Sequence, residues 1–324
     1  MRDMSDAHES KPSLQGTAKA PESPRWAIIY CPKQGVRNSQ KRWERIQQLL
    51  TDRNVAYDFV QSESPDSVGR LTQMLCQQSY DTLVIVGGDS ALNRALNGML
   101  ALDDSVRQRM ALGIIPNGRG NDFASFWGFV ENGDEQTIDS LIRRRLRKVD
   151  VGRITSGGEH RYFLNCVNVG LVANIMKLKY KTRRIFGLSS LSYLSSMFLL
   201  LFQRLESRMH VKINEDVISA KVMTVCVGSC RGYGQTPNAV PYNGMLDMSV
   251  ISHPEMTQLI AGIWMLFTGK FLNHKKVRAY RTSRRIQFLD THNATVSTDG
   301  MVVAASAPFT IDILPEHINF IIPG

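Results

Sequence analysis

The chain has 324 residues, of which 43% are hydrophobic and 21% charged, and a formal net charge of +10. That is the balance of a globular protein with room for two ordinary domains and a substantial core. The positive charge favours an anionic partner. Basic residues cluster at 143–148, 177–184 and 274–285. Few aromatics interleave with them and no nucleic-acid motif accompanies them, so a membrane surface is expected rather than nucleic acid. The plainer reading, solvated helix faces, stands beside it. Five cysteines, odd in number and scattered through apolar segments, read as reduced thiols of a cytoplasmic protein.

Residues 1–24 are polar, rich in Ser, Lys, Glu and Pro, and read as a disordered tail without the apolar core of a signal peptide. Trp26 to Tyr30 is the first expected strand, and a Cys31-Pro-Lys-Gln-Gly turn follows it. Ser39 to Leu50 has helical spacing through Trp43, Ile46, Leu49 and Leu50. Tyr57 to Val60 reads as a strand and Pro65 to Gln78 as a helix with Val68, Leu71 and Leu75 inward.

Leu83 to Val86 is a short, apolar, β-branched run, as expected of a strand buried on both faces. Gly87, Gly88 and Asp89 follow directly, and then Leu92, Ala95, Leu96 and Met99 at helical spacing. A strand entering a helix through glycines concentrates free backbone N–H groups at the positive end of the helix dipole, which favours a phosphate. Asp89 either caps that helix or faces the phosphates, through a metal ion or as a base. Leu112 to Ala124 repeats the pattern with Pro116, Gly118, Arg119 and Gly120, and with Asn121 or Asp122 as the cap. Two such turns about thirty residues apart suggest neighbouring strand ends that share one ligand.

From Asp150 onward the pattern changes to short strand candidates at 162–169, 209–213, 220–227, 246–251, 283–289 and 295–298. The expected fold is α/β with two domains. Residues 25–146 form a doubly wound parallel-sheet domain and residues 147–324 a β-rich, sandwich-like domain with inserted helices. The charge-free stretch 185–203 reads as an amphipathic helix packed on the sheet or touching a bilayer, in preference to a membrane span. A second apolar helix is expected at 256–268.

The motifs Gly87-Gly-Asp89 with Asn97-Gly98, and Pro116-Asn-Gly-Arg-Gly-Asn-Asp-Phe-Ala124, closely resemble the diacylglycerol kinase family, which includes sphingosine kinases and bacterial lipid kinases. Matching blocks follow in the family's order: Val149-Asp-Val-Gly152, Asn165 with Gly170, Gly232-Tyr-Gly-Gln-Thr-Pro-Asn-Ala239, Asn243-Gly-Met-Leu-Asp247, and Asp299-Gly300. The resemblance spans roughly residues 25 to 324. The departures are Ser90 and Ala91 for Gly-Thr, Arg94 for Glu, Arg119 for Thr, Asn243 for Asp and Met301 for Glu.

The resemblance implies ATP and Mg²⁺ as cofactors, with nucleotide held by Gly87, Gly88, Asp89, Ser90, Arg94, Pro116, Gly118, Arg119, Gly120, Asn121 and Asp122. Lys33 and Gln34 are weaker candidates. Asp89 and Asp299 are the implied catalytic residues, Asp299 as the base at the lipid hydroxyl. Asp-Gly between β-rich runs is equally a hairpin signal. Asp247 matches one acid of the family's second metal site, weakened by Asn243. Arg94 and Arg119 either contact phosphates or pair with acidic neighbours. The implied activity is phosphoryl transfer from ATP to a lipid hydroxyl by a cytoplasmic protein lying peripherally on an anionic membrane, with a homodimer allowed. A catalytically impaired nucleotide- or lipid-binding relative is the second reading, and an NAD kinase-like enzyme the third.

Overall fold

The computed structural model describes residues 25–32, 39–118, 120–177, 207–252, 265 and 270–324. The expected helices at 185–203 and 256–268 therefore lie outside the described residues, apart from Met265, as do the tail, Lys33, Gln34 and Arg119. Among the described residues no helix is long and apolar enough to cross a membrane.

The first domain alternates strand and helix: β1 (Trp26–Tyr30), α1 (Ser39–Asp52), β2 (Tyr57–Gln61), α2 (Ser67–Cys76), β3 (Thr82–Gly87), α3 (Asp89–Leu100), α4 (Asp104–Arg109), β4 (Ala111–Pro116), α5 (Asp122–Phe126) and α6 (Asp134–Arg143). β2, β1, β3 and β4 lie side by side and parallel. β1, β3 and β4 are buried along their whole length, as parallel strands covered on both faces must be. One face packs on Leu92, Ala95, Leu96 and Met99 of α3, and the other on Trp43, Ile46 and Leu50 of α1 with Ile138 and Leu141 of α6. The parallel register carries β3 and β4 to the same edge, with Gly87 opposite Pro116. Both glycine turns thus leave the sheet together.

The rest of the chain runs β5 (Leu146–Ser156), β6 (Glu159–Phe163), β7 (Cys166–Gly170), β8 (Ser207–Ile213), β9 (Asp216–Val222), β10 (Thr224–Gly228), β11 (Leu246–Ile251), β12 (Val277–Thr282), β13 (Ile286–Asp290), β14 (Val296–Thr298), β15 (Met301–Val303) and β16 (Phe309–Ile321). Two sheets face each other over a core that includes Phe163, Val167, Val169, Met209, Val225, Met248, Phe288, Phe309 and Ile311. This is the β-rich sandwich expected from the pattern of short strands. The expected strand 162–169 is two strands, broken at Leu164 and Asn165, and 220–227 is broken at Met223.

β16 joins the domains. Its start pairs antiparallel with β13 in the sandwich, and its end pairs parallel with β4, Phe320 opposite Leu112. β5 runs antiparallel along almost all of it, across a bulge between Leu314 and Ile318. Asp150, buried, fixes that bulge by accepting the Glu316 N–H at 2.9 Å and the Gly244 N–H at 2.7 Å. One continuous ten-stranded sheet therefore crosses both domains.

Candidate active site

The two glycine turns touch through their backbones. A Cβ on Gly88 would lie 2.7 Å from the Gly118 Cα, and one on Gly87 would lie 2.8 Å from Ala91 Cβ. Only hydrogen fits at the Gly88–Gly118 approach. Asn121, in the left-handed conformation, closes the second turn by accepting the Gly118 N–H at 2.8 Å and donating to the Gly118 carbonyl at 3.0 Å. From behind, Arg42 of α1 donates to the Pro116 carbonyl at 2.9 Å and to Asn117 Oδ1 at 3.0 Å, while Asp134 anchors its guanidinium. Nothing in the local sequence singled out Arg42; only the packing of α1 brings it there.

Asp89, at the start of α3, spends its carboxylate across the gap. It accepts from the Asp122 N–H at 3.0 Å, the Phe123 N–H at 3.2 Å and Asn165 Nδ2 at 3.2 Å. It thus caps α5 rather than its own helix.

Asp299 and Gly300 are the two-residue turn of the β14–β15 hairpin, both with positive φ. The Asp299 carboxylate is 2% exposed and full. Oδ1 accepts the N–H groups of Asn165 and Cys166 at 2.9 and 3.0 Å, and Oδ2 accepts those of Leu164 and Asn93 Nδ2 at 2.9 and 2.8 Å. The break between β6 and β7 is what frees these backbone donors. Burial raises Asp299 to about 6, outweighing the downward pull of its four donors. The hairpin reading of Asp299-Gly300 is therefore realised, and the carboxylate braces β7 and α3.

Asp122 is the third acid, at the N-terminus of α5. A Cβ on exposed Gly120 would stand 3.2 Å from Asp89 Oδ2, 3.6 Å from Asp122 Oδ2 and 4.0 Å from the Tyr233 ring. Burial and the charges of Asp89 and Asp299 push the Asp122 carboxyl up to about 7, against a smaller opposing pull from Arg231. Tyr233 holds φ +55 between two glycines, strained for an aromatic residue, and its hydroxyl lies against the Gly300 turn. Burial and the same carboxylates drive its phenol well above the usual range. Asn93 and Tyr233 complete the cluster. Asn93 sits inside a helical pattern that gives no hint of a partner 206 residues away.

Beside Asp122 lies an aromatic ledge. Phe126 and Trp127 meet Tyr242 at ring distances of 6.3 and 5.6 Å, with Arg147 over the Tyr242 ring and Arg231 over Phe126. Trp127 and Phe123 pack on Phe320 of β16, so the ledge spans both domains.

The other expected site residues are placed as follows. Gly87, Pro116 and Ser90 lie at the turn, Ser90 half-buried. Arg94 pairs with Asp66 at the start of α2. Asp247 gives both oxygens to Arg281, at 2.5 and 2.9 Å, and Asn243 Oδ1 accepts the Met245 N–H. Neither is brought to the aspartate cluster, and among the described residues no group of three ligating side chains could hold a metal ion.

Both halves of the chain match known protein domains. Residues 25–154 match the diacylglycerol kinase catalytic domain, and residues 165–322 match the YegS C-terminal NAD kinase beta sandwich-like domain. A diacylglycerol kinase of Bacillus subtilis is 21% identical over 303 residues, covering 91% of this chain and 95% of that protein. One of Staphylococcus saprophyticus is 24% identical over 253 residues, covering 76% and 79%. The crystal structure of a diacylglycerol kinase from Bacillus anthracis superposes with a TM-score of 0.66 at 18% identity, covering 94% of this chain and 98% of that one. By its two matched domains, in this order and over most of its length, the chain belongs to the family of bacterial diacylglycerol kinase and YegS-like lipid kinases.

Proposed function

We propose that this protein is an ATP-dependent lipid kinase that transfers the γ-phosphoryl group to a hydroxyl of a diacylglycerol-like, phosphatidylglycerol-like or sphingoid lipid. The observation that carries the reading is the convergence of two mutually fitted glycine turns with Asp89, Asp122 and Asp299 at the junction of the domains. Phosphoryl transfer asks the protein chiefly for positioning and charge management.

The cradle suits a triphosphate. Gly120 is exposed on the open side of the turns, and a side chain there would intrude on Asp89, Asp122 and Tyr233. The Asn243–Asp247 block does not suit a metal, because Arg281 already neutralises Asp247. Mg²⁺ would arrive on the nucleotide's phosphates, which bind it with its own waters.

The lipid side is served by the ledge of Phe126, Trp127 and Tyr242, where aromatic faces and the cations of Arg147 and Arg231 suit acyl chains and an anionic headgroup layer. The protein would lie peripherally on the bilayer. Arg281, Arg284 and Arg285 of the expected basic run are spent on Asp247, Glu215 and Asp312, which leaves Lys275, Lys276 and Arg278 to meet lipid phosphates.

A non-catalytic nucleotide binder is the second reading, favoured by Arg94, which pairs with Asp66 instead of replacing the lost polar groups of the first turn. Labelled ATP, offered with vesicles of each lipid class, separates the two. Label in the lipid supports the kinase, and ATP binding without transfer supports the binder.

A further inference from the structure

Asn117 stands between Pro116 and Gly118 of the second glycine turn, and it joins three strand ends. Its N–H donates to the Gly87 carbonyl at the end of β3, 2.7 Å away. Its Nδ2 donates to the Cys31 carbonyl just past β1 at 3.3 Å, and its Oδ1 accepts from Arg42 Nη1 at 3.0 Å. Arg42 in turn donates through Nη2 to the Pro116 carbonyl at the end of β4, 2.9 Å away. The carbonyls of Cys31, Gly87 and Pro116 are thus all occupied by one pair of residues. Both are held firmly. Asn117 is 7% exposed, and the Arg42 guanidinium is anchored by buried Asp134 through Nε at 3.1 Å and Nη2 at 2.6 Å.

The carboxyl edge of a parallel sheet is where its ligands bind, and it is also where strand-end carbonyls lack ladder partners. A phosphate at this edge is drawn by the N-terminus of α3 and repelled by each uncovered carbonyl oxygen. Occupying three of those oxygens, one of them with a guanidinium, turns the local field in favour of an anion. The Gly87–Asn117 bond also sets the spacing at which Gly88 and Gly118 meet backbone to backbone.

We infer that Asn117 and Arg42 are positioning residues of the nucleotide site, which hold the two glycine turns in register and keep strand-end carbonyls off the phosphates of ATP. The inference rests on the lipid kinase reading, because it needs ATP at those turns. Both residues act through the backbone, and neither needs to touch the nucleotide.

The same contacts fit a plainer role, with Asn117 as a turn former and Arg42 as a link between α1 and α6. Two comparisons separate the roles. Aspartate suits a turn as well as asparagine does, but it cannot donate to the Cys31 carbonyl. Arg45 links the same two helices through Glu135 at 3.1 Å, on the exposed side of that contact.

The test uses the full chain, with calorimetry on ATP and on adenosine, and steady-state transfer to diacylglycerol vesicles. Arg42→Ala and Asn117→Asp are each expected to weaken ATP binding about tenfold or more, with adenosine affinity and kcat at saturating ATP held within about threefold. Arg42→Lys should recover part of the ATP affinity, because an ammonium can reach Pro116 or Asp134 but lacks the fork that also takes Asn117. Arg45→Ala should match wild type. ATP affinity unchanged in Asn117→Asp and Arg42→Ala overturns the inference and leaves the kinase reading standing. Equal losses for ATP and adenosine, or an equal loss in Arg45→Ala, overturn it as well, by reducing both residues to packing. Because calorimetry needs no lipid, failure of the kinase reading is seen separately, as ATP bound by wild type with no lipid labelled.

Discussion

Gly88 and Gly118 are pressed together so closely that a Cβ on Gly118 would stand 2.5 Å from the Gly88 Cα and 2.6 Å from Asn121 Oδ1. The glycines of the two turns therefore do more than leave room for a ligand: they let two strand ends of one sheet share a surface. Gly118→Ala is expected to part the turns, costing about 1–3 kcal/mol of stability and at least tenfold in nucleotide affinity. Thermal unfolding and calorimetry with ATP check both, and an unchanged affinity would show that the fit of the turns is irrelevant to binding.

Gly120 offers the contrast. Its added methyl would meet no backbone, only the Asp89 and Asp122 carboxylates and the Tyr233 ring. Gly120→Val is expected to keep the folding midpoint within a few degrees while abolishing ATP binding. Loss of folding without loss of affinity per folded molecule would contradict the assignment of the open side to phosphate.

Much of this was legible in sequence wherever the determinant was local. The strands Trp26–Tyr30 and Thr82–Gly87 are compact apolar runs, and each glycine turn sits at a strand end. What stayed hidden depends on distant pairing. β16 joins the first domain by setting Phe320 beside Leu112, and no periodicity encodes that partnership. β12 hid inside a basic run, because an edge strand places Arg278 and Arg281 toward solvent. In sequence, Asp299-Gly300 reads equally as a base or as a turn. The four donors that fill its carboxylate come from Asn93 and from a strand break at Leu164 and Asn165, both invisible without the fold. Tyr233 did leave a signal: an aromatic between two glycines can mark a backbone forced into the left-handed region.

Asp247 and Arg281 form a two-pronged pair at the protein surface, Arg281 half exposed. Asp247→Ala is expected to cost no more than about 1 kcal/mol and to leave the Mg²⁺ dependence of turnover unchanged. A raised Mg²⁺ requirement in this variant would restore Asp247 as a metal ligand.

Asp122 and Asp299 are expected to separate in stability. A carboxyl held near 7 in the folded chain and at 3.8 when unfolded binds more protons folded, so its contribution to stability is lost as pH rises from about 4 through 7. Asp122→Asn removes that loss and should raise the folding midpoint relative to wild type most clearly at pH 8. Asp299→Asn sets an amide against backbone N–H donors and should cost about 3 kcal/mol or more. Melts at pH 5 and pH 8 decide it, and a destabilised Asp122→Asn beside a stable Asp299→Asn would contradict both expectations.

The most direct test of the kinase reading is transfer of label from γ-labelled ATP to diacylglycerol in anionic vesicles, with the Gly120→Val variant as the control. The expected result is a labelled phospholipid that forms with wild type, requires Mg²⁺ and is absent from the control. ATP bound tightly by wild type, with no label in that lipid or in a phosphatidylglycerol or sphingoid substitute, would contradict it.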